Sequence, residues 1–271
     1  MSIMGNPASH LQKKSRLYGR RKGRPLRARK SMLMQDLLPK LQIELPSPPP
    51  LEGGVRGGGA MPSFSFGLRD APPPILPRKG GGTRLGLLDP RSLFSPEVQS
   101  IWLEIGFGGG EHLAVQAEKY PNDGFIGCEP FVNGIASLLD HIDRKQLKNI
   151  RIYPGDARLL LDTLPDASLA RCVLLFPDPW PKARHAERRF IGPENLQRLA
   201  RVLKEGAELR IATDDEQLKD WMREHLRGAE DFELIGDSTA RPADWPPTRY
   251  EEKALKAGRK PVYLEYTRVF K

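Results

Sequence analysis

Acidic residues recur along the chain at matching places, each at the end of a short apolar run. Glu104 opens the turn in Leu103-Glu104-Ile105-Gly106-Phe107-Gly108-Gly109-Gly110-Glu111, Glu129 lies in Gly127-Cys128-Glu129-Pro130, and Asp156 in Gly155-Asp156-Ala157. Glycines in such a turn let the backbone approach a ligand, and the helix that follows offers unpaired N–H groups. Glu129 falls about 20 residues past the glycines, where an acid can grip a ribose diol. Asp156 is placed to accept from an adenine amino group, beside Ala157 at the next helix start. The turn departs from the dinucleotide fingerprint, because Glu111 occupies the position that needs Gly or Ala. Two carboxylates flanking the glycines repel a diphosphate and attract an ammonium and a sulfonium. S-adenosylmethionine carries both, so methyl transfer is the chemistry indicated. Each acid taken singly is as readily a helix N-cap, and the glycine turn taken alone also fits an NAD enzyme.

The most specific segment is Phe176-Pro177-Asp178-Pro179-Trp180-Pro181-Lys182. Prolines on both sides of Asp178 fix its backbone, so the carboxylate is held with little entropy left to lose. Lys182, Arg184, His185, Arg188 and Arg189 follow closely, a density suited to phosphates. The five histidines have no metal-ligand spacing and no nucleophile triad is present, so no metal is expected. Cys128 and Cys172 sit in apolar runs, far apart in sequence, and are expected as buried, reduced thiols.

These acids need strands to carry them. From residue 100 onward short apolar runs alternate with amphipathic ones, the pattern of an α/β sheet covered by helices on both faces. Strands are expected at 101–105, 125–128, 150–153, 170–176, 208–212, 232–235 and 262–270, with helices near 111–120, 131–144, 157–163, 193–204 and 215–227. In such sheets ligands bind outside the carboxyl ends of the strands. Leu218, Trp221, Met222 and Leu226 share a helical face and read as packing.

Composition agrees with a folded body carrying an appendage. The 271 residues are 39% hydrophobic and 28% charged, ordinary for a globular chain. No apolar run approaches the length of a spanning helix, and the basic start lacks the apolar stretch of a signal peptide. Residues 1–30 hold ten Lys and Arg and no acid, and removing those ten charges from the net +9 leaves −1 for the rest. A cationic arm on a nearly neutral body points to a polyanion such as nucleic acid, with a merely solvated tail as the rival. Residues 46–82 carry nine Pro and nine Gly, which reads as a linker. Between arm and linker, Ser31 is expected to cap a short helix that ends near Pro39. The expected division is therefore 1–45 arm with a short helix, 46–83 insert, and 84–271 catalytic body.

Together these motifs resemble the tRNA (guanine-N7-)-methyltransferase family of bacterial type. The likeness covers residues 100–271, through the glutamate-led turn, Glu129, Asp156, the 176–182 run, the basic residues at 184–189, Ala212-Thr213-Asp214 and Thr248-Arg249-Tyr250-Glu251. It implies a Rossmann-like class I fold: a mixed seven-stranded sheet with helices on both faces, plus the basic amino-terminal arm. It further implies S-adenosylmethionine as methyl donor, held by Glu104, Gly106, Gly108, Glu129, Asp156, Ala157 and Asp178, with Asp178 at the reaction centre. Lys182, Arg184, His185, Arg188, Arg189, Asp214, Thr248, Arg249, Tyr250 and Glu251 would hold tRNA and its guanine, at position 46 of the variable loop. The basic Gly-Arg-Arg-Lys-Gly-Arg run resembles the family's amino-terminal segment, whereas the 46–82 insert does not. A cytoplasmic enzyme acting as a monomer is expected, with a homodimer left open. The alternatives are a methyltransferase for another RNA or base, an NAD-linked oxidoreductase, and a non-catalytic tRNA-binding protein.

Overall fold

The computed structural model describes Arg21, residues 23–46 and residues 87–270. The arm's first twenty residues and most of the Pro/Gly-rich insert, for which a basic tail and a linker are expected, lie outside the described residues.

The segment before the insert folds as two short helices, α1 (Ala28–Asp36) and α2 (Leu38–Leu41). The expected cap at Ser31 is corrected: the N-cap position falls four residues earlier, at Arg27, which makes no side-chain cap, and Ser31 lies inside the helix. Tertiary contacts override the local signal. Arg29 donates to Asp140 and Asp143, and Lys30 to the Ser137 hydroxyl, while Leu33 and Leu38 are buried. Pro39 lies in the first turn of α2, where its missing N–H costs nothing. The chain then adds Ile43 to the sheet edge, its N–H donating to the Ile152 carbonyl at 2.8 Å.

The body runs β1 (Ser100–Ile105), α3 (Glu111–Lys119), β2 (Asp123–Cys128), α4 (Val132–Lys145), β3 (Ile150–Tyr153), α5 (Ala157–Thr163), β4 (Leu169–Leu175), α6 (Pro193–Val202), β5 (Leu203–Thr213), α7 (Glu216–Arg227), β6 (Phe232–Ser238), α8 (Arg249–Lys256) and β7 (Val262–Arg268). Strand order is β3-β2-β1-β4-β5-β7-β6. The first five strands are parallel, and β7 is antiparallel to both β5 and β6. The order reverses at β1, whose neighbours are β2 and β4, so a crevice opens beyond the carboxyl ends of β1 and β4. Several boundaries differ from expectation by one to three residues, and two differences are larger. β5 begins at Leu203, where a helix was expected to continue, because Leu203 pairs with Leu169 before a register shift. Helix α8 was not expected.

Strand periodicity divides the core between the two faces. Ile101 and Leu103 join Leu160, Leu199 and Met222 under α5, α6 and α7. Trp102 joins Phe125, Leu138 and Leu33 under α1, α3 and α4. Glu104 shares the parity of Trp102 and so turns toward α3. The expected packing of Leu218, Met222 and Leu226 is observed, all three fully buried. Cys128 and Cys172 are buried and free, and burial pushes both thiols up from their usual range.

Candidate active site

The turn from β1 into α3 is made by three glycines in the left-handed region, Gly106, Gly108 and Gly110, with φ of 70°, 57° and 80°. A side chain there would be strained. The turn is backed by the start of α4, where Gly134 lies so close that a Cβ would come within 2.2 Å of the Gly108 carbonyl oxygen. Glu129, at the end of β2, locks the turn: one carboxylate oxygen accepts from the Gly108 N–H at 2.8 Å and the other from the Phe131 N–H at 3.0 Å. Glu104 is buried and accepts from His112 Nδ1 at 2.7 Å. Glu111 folds back over the turn, its carboxylate where a Cβ on Gly109 would stand.

Burial raises the Glu129 carboxyl above its ordinary range, backbone donors Phe131 and Gly108 pull it back, and the charges of Asp178 and Glu104 raise it again. Acids from the ends of β1, β2 and β4 therefore feel one another. Asp156 behaves differently. It caps α5, accepting from the Arg158 N–H at 3.0 Å, and pairs with the Arg158 guanidinium. Ala157 turns its methyl into the core, leaving its backbone for any ligand.

Asp178 is exposed on the loop after β4. That loop is bounded by two aromatic residues with positive φ, Phe176 at 50° and Trp180 at 44°. Each such residue costs about 1–3 kcal/mol, and strain of this kind persists only where surroundings enforce it. The Phe176 N–H donates to the Ala212 carbonyl, and Arg189 donates to the carbonyls of Pro179 and Trp180. Arg188 packs over the Trp180 ring at 4.9 Å. Lys182 and Arg184 are exposed, His185 half-buried. Desolvation, then the neighbouring Arg188, Arg184 and Lys182, holds the His185 imidazole below its ordinary value.

The third wall comes from the segment leading into α8. Thr248 and Glu251 form a capping box: the Thr248 hydroxyl accepts from the Glu251 N–H, and the Glu251 carboxylate from the Thr248 N–H. Glu251 also accepts from Tyr263 at 2.6 Å and from Arg241 at 3.0 Å. Its carboxylate is buried among protein donors. Asp214, at the end of β5, pairs with Arg259 at 2.5 Å. Arg249 approaches Glu111 at 4.0 Å, and the exposed Tyr250 lies across Gly108. Glu104, Gly106, His112, Phe176, Thr248 and Tyr250 line one shallow cleft. The glycine turn, the post-β4 loop and α8 thus converge, although some 140 residues separate the first from the last.

A family model described as "Putative methyltransferase" matches residues 98–264. Over 97% of this chain and 96% of its own length, the tRNA (guanine-N(7)-)-methyltransferase of Paramagnetospirillum magneticum is 46% identical. The chain belongs to the tRNA (guanine-N(7)-)-methyltransferase family. The like-named protein of Rhodospirillum rubrum is 44% identical over 94% of this chain and 88% of its own. Among solved structures, that of the 16S rRNA methyltransferase KamB aligns at a TM-score of 0.51 with 16% identity, covering 65% of this chain and 95% of that one. The fold is thus the Rossmann-like class I methyltransferase fold. Among the described residues, no helix is long and apolar enough to cross a membrane, and no group of three or more His, Cys, Asp or Glu could hold a metal ion.

Some residues of the site were invisible to sequence reasoning. His112, the partner of Glu104, carried no signal beyond being the second residue of α3. The Arg241–Glu251–Tyr263 cluster joins positions too far apart for spacing to reveal. Helix α8 could have been found, since Thr-x-x-Glu at 248–251 is a capping-box signature.

Proposed function

We propose that this chain transfers the methyl group of S-adenosylmethionine to N7 of guanine in tRNA, at the variable-loop guanine, position 46. The observation that carries this reading is the convergence, at the carboxyl ends of β1, β2 and β4, of Glu104, the glycine turn locked by Glu129, and the loop that carries Asp178.

The residues present suit that methyl donor. Each Glu129 oxygen has one protein donor and a further lone pair, so ribose hydroxyls can add without displacing the turn. Glu104 supplies negative charge for an ammonium, and the backbone of Gly106 and Gly108 offers close approach. At the mouth of the next helix, Asp156 and the Ala157 backbone would meet the adenine. Glu111, folded over the helix start, is a poor neighbour for a diphosphate, which supports this donor over NAD. When bound, the donor supplies an electrophilic methyl carbon.

N7 of guanine already presents a lone pair, so this chain need not remove a proton. Its work is alignment, which can supply up to roughly 7–11 kcal/mol, and charge placement. Positive charge moves into the purine as the methyl transfers, and the fixed Asp178 carboxylate stabilises it. Asp214 is the acid we assign to the guanine Watson–Crick edge, exchanging its Arg259 partner for the base. Lys182, Arg184, His185, Arg188 and Arg249, with the cationic arm, face the phosphates. With tRNA as substrate, the compartment we assign to the reaction is the cytoplasm.

The test is transfer of labelled methyl from S-adenosylmethionine to bulk tRNA, followed by aniline cleavage, which breaks the chain at 7-methylguanosine. Label incorporated without cleavage moves the reaction to another atom. Calorimetric binding of NAD, with none of S-adenosylhomocysteine, overturns the reading altogether.

A further inference from the structure

Arg189 stands at the end of the basic run that the sequence sets against phosphates, yet its guanidinium points into the protein. Nε donates to the Pro179 carbonyl at 3.0 Å and Nη2 to the Trp180 carbonyl at 3.3 Å. The guanidinium also stacks over the Trp221 ring at 4.8 Å. That ring is itself fixed: its Nε1 donates to the Ile191 carbonyl at 2.6 Å, and it stacks on His225.

The two carbonyls belong to the loop that carries Asp178. Pro177, Pro179 and Pro181 have no N–H to give, so the loop cannot satisfy its own carbonyls by a backbone ladder. The loop is also held open by two bulky residues of positive φ, Phe176 and Trp180. Such a conformation needs an outside restraint, and a planar guanidinium spanning two successive carbonyls is one that a lysine ammonium does not reproduce.

We infer that Arg189 is a positioning residue: it clamps the Phe176–Trp180 loop and thereby aims Asp178 at the reacting base, and it is not a phosphate contact. This rests on the methyl-transfer reading above.

The experiment compares Arg189→Lys, Trp221→Leu and the exposed-site control Arg184→Ala in the full chain. Rates of methyl transfer to tRNA are measured alongside the salt dependence of tRNA binding and the ¹⁹F spectrum of fluorotryptophan-labelled protein with Trp180 assigned. Arg189→Lys is expected to lower kcat about 10–100-fold, leave the tRNA KM and salt slope unchanged, and shift or broaden the Trp180 resonance. In an Asp178→Ala background the same change should have no further effect on kcat, because the two act as a unit. Arg184→Ala should raise KM, lower the salt slope by about one and leave the Trp180 signal in place. An Arg189→Lys enzyme with normal kcat, raised KM and a shallower salt slope overturns the proposal. So does an unmoved Trp180 signal, which decides the point even if the wild-type chain methylates no tRNA and the wider reading has failed. Should Arg189→Lys not fold, Trp221→Leu keeps the arginine and removes its platform, with a smaller kcat loss expected and an unchanged kcat overturning.

Discussion

The two sides of the cleft solve the same problem by different means. On the β1–β2 side, acids are buried and held by short, fixed donors: Glu129 by two backbone N–H groups and Glu104 by His112. On the β4 side, Asp178 is exposed and its loop is strained, restrained from outside by Arg189 and by one backbone bond to β5. Buried, pre-paired acids make a rigid receptor, since removing them from water is offset once by permanent hydrogen bonds. A strained loop gives placement of one charge, at a cost in stability that the rest of the fold carries. The first arrangement suits holding a methyl donor and the second suits the transfer itself.

That contrast breaks most easily at Asp178. Asp178→Ala should lower kcat for methyl transfer about 10²–10³-fold, the loss typical when one preorganised electrostatic group is removed. Affinity for S-adenosylhomocysteine and for tRNA should change little. If the variant instead loses S-adenosylhomocysteine binding while retaining turnover at saturation, the two sides have been assigned the wrong way round.

Glu129→Ala should do the reverse. Deleting the carboxylate strips the Gly108 and Phe131 N–H groups of their acceptor, so S-adenosylhomocysteine affinity should fall by about 2–3 kcal/mol, within the range for hydrogen bonds to a charged group. At saturating donor, kcat should stay near that of the wild type. Calorimetry and steady-state rates on one preparation separate the two effects.

A smaller change is expected at His112. It is buried with Glu104 at 2.7 Å, and Gln116 lies behind it with its side-chain oxygen unpartnered. His112→Ala leaves a buried carboxylate without its donor, which should cost about 1–3 kcal/mol of stability in urea unfolding. A variant as stable as the wild type shows that water satisfies Glu104 and that this side is less rigid than described.

The rigid side was also the more legible in sequence. Strands ending at Ile105, Cys128 and Tyr153 are read from short, largely apolar runs, and the glycine turn announces itself by composition. The strained side reveals only its residue types. Pro-Asp-Pro-Trp marks a special loop, but nothing in the spacing tells that Arg189 faces inward while Lys182 and Arg184 face solvent. Ser31 fails for a related reason: a cap preference worth about 1 kcal/mol yields to the contacts of Arg29, Lys30 and Leu33 with α4 and the core. Glu251 has the right type for a base contact, yet two of its three protein donors, Arg241 and Tyr263, become visible only when β7 and the 241 loop fold around it.

The subtlest test is pH. Glu129 titrates above the ordinary carboxylate range, chiefly through burial, so its folded value exceeds its unfolded one. Protonation then favours the folded state, and the destabilisation that ionised Glu129 imposes at higher pH is relieved as pH falls through the raised value. Ligand binding should run the other way, because ribose hydroxyls and a nearby ammonium favour the ionised carboxylate. Affinity for S-adenosylhomocysteine should therefore weaken as pH drops through that window, approaching about tenfold per unit below it, while Glu129→Gln gives a weaker, flat profile. Total stability is a poor reporter by itself. Asp140, held low by its hydrogen bond to Arg29, and Asp244, where desolvation is outweighed by the hydrogen bond and charge of Arg210 together with its own backbone N–H and the charge of Arg171, lose stability as pH falls. The wild-type-minus-variant difference cancels those groups and isolates Glu129. Opposite slopes for that difference and for ligand affinity are expected, and parallel slopes would place the ribose on another acid.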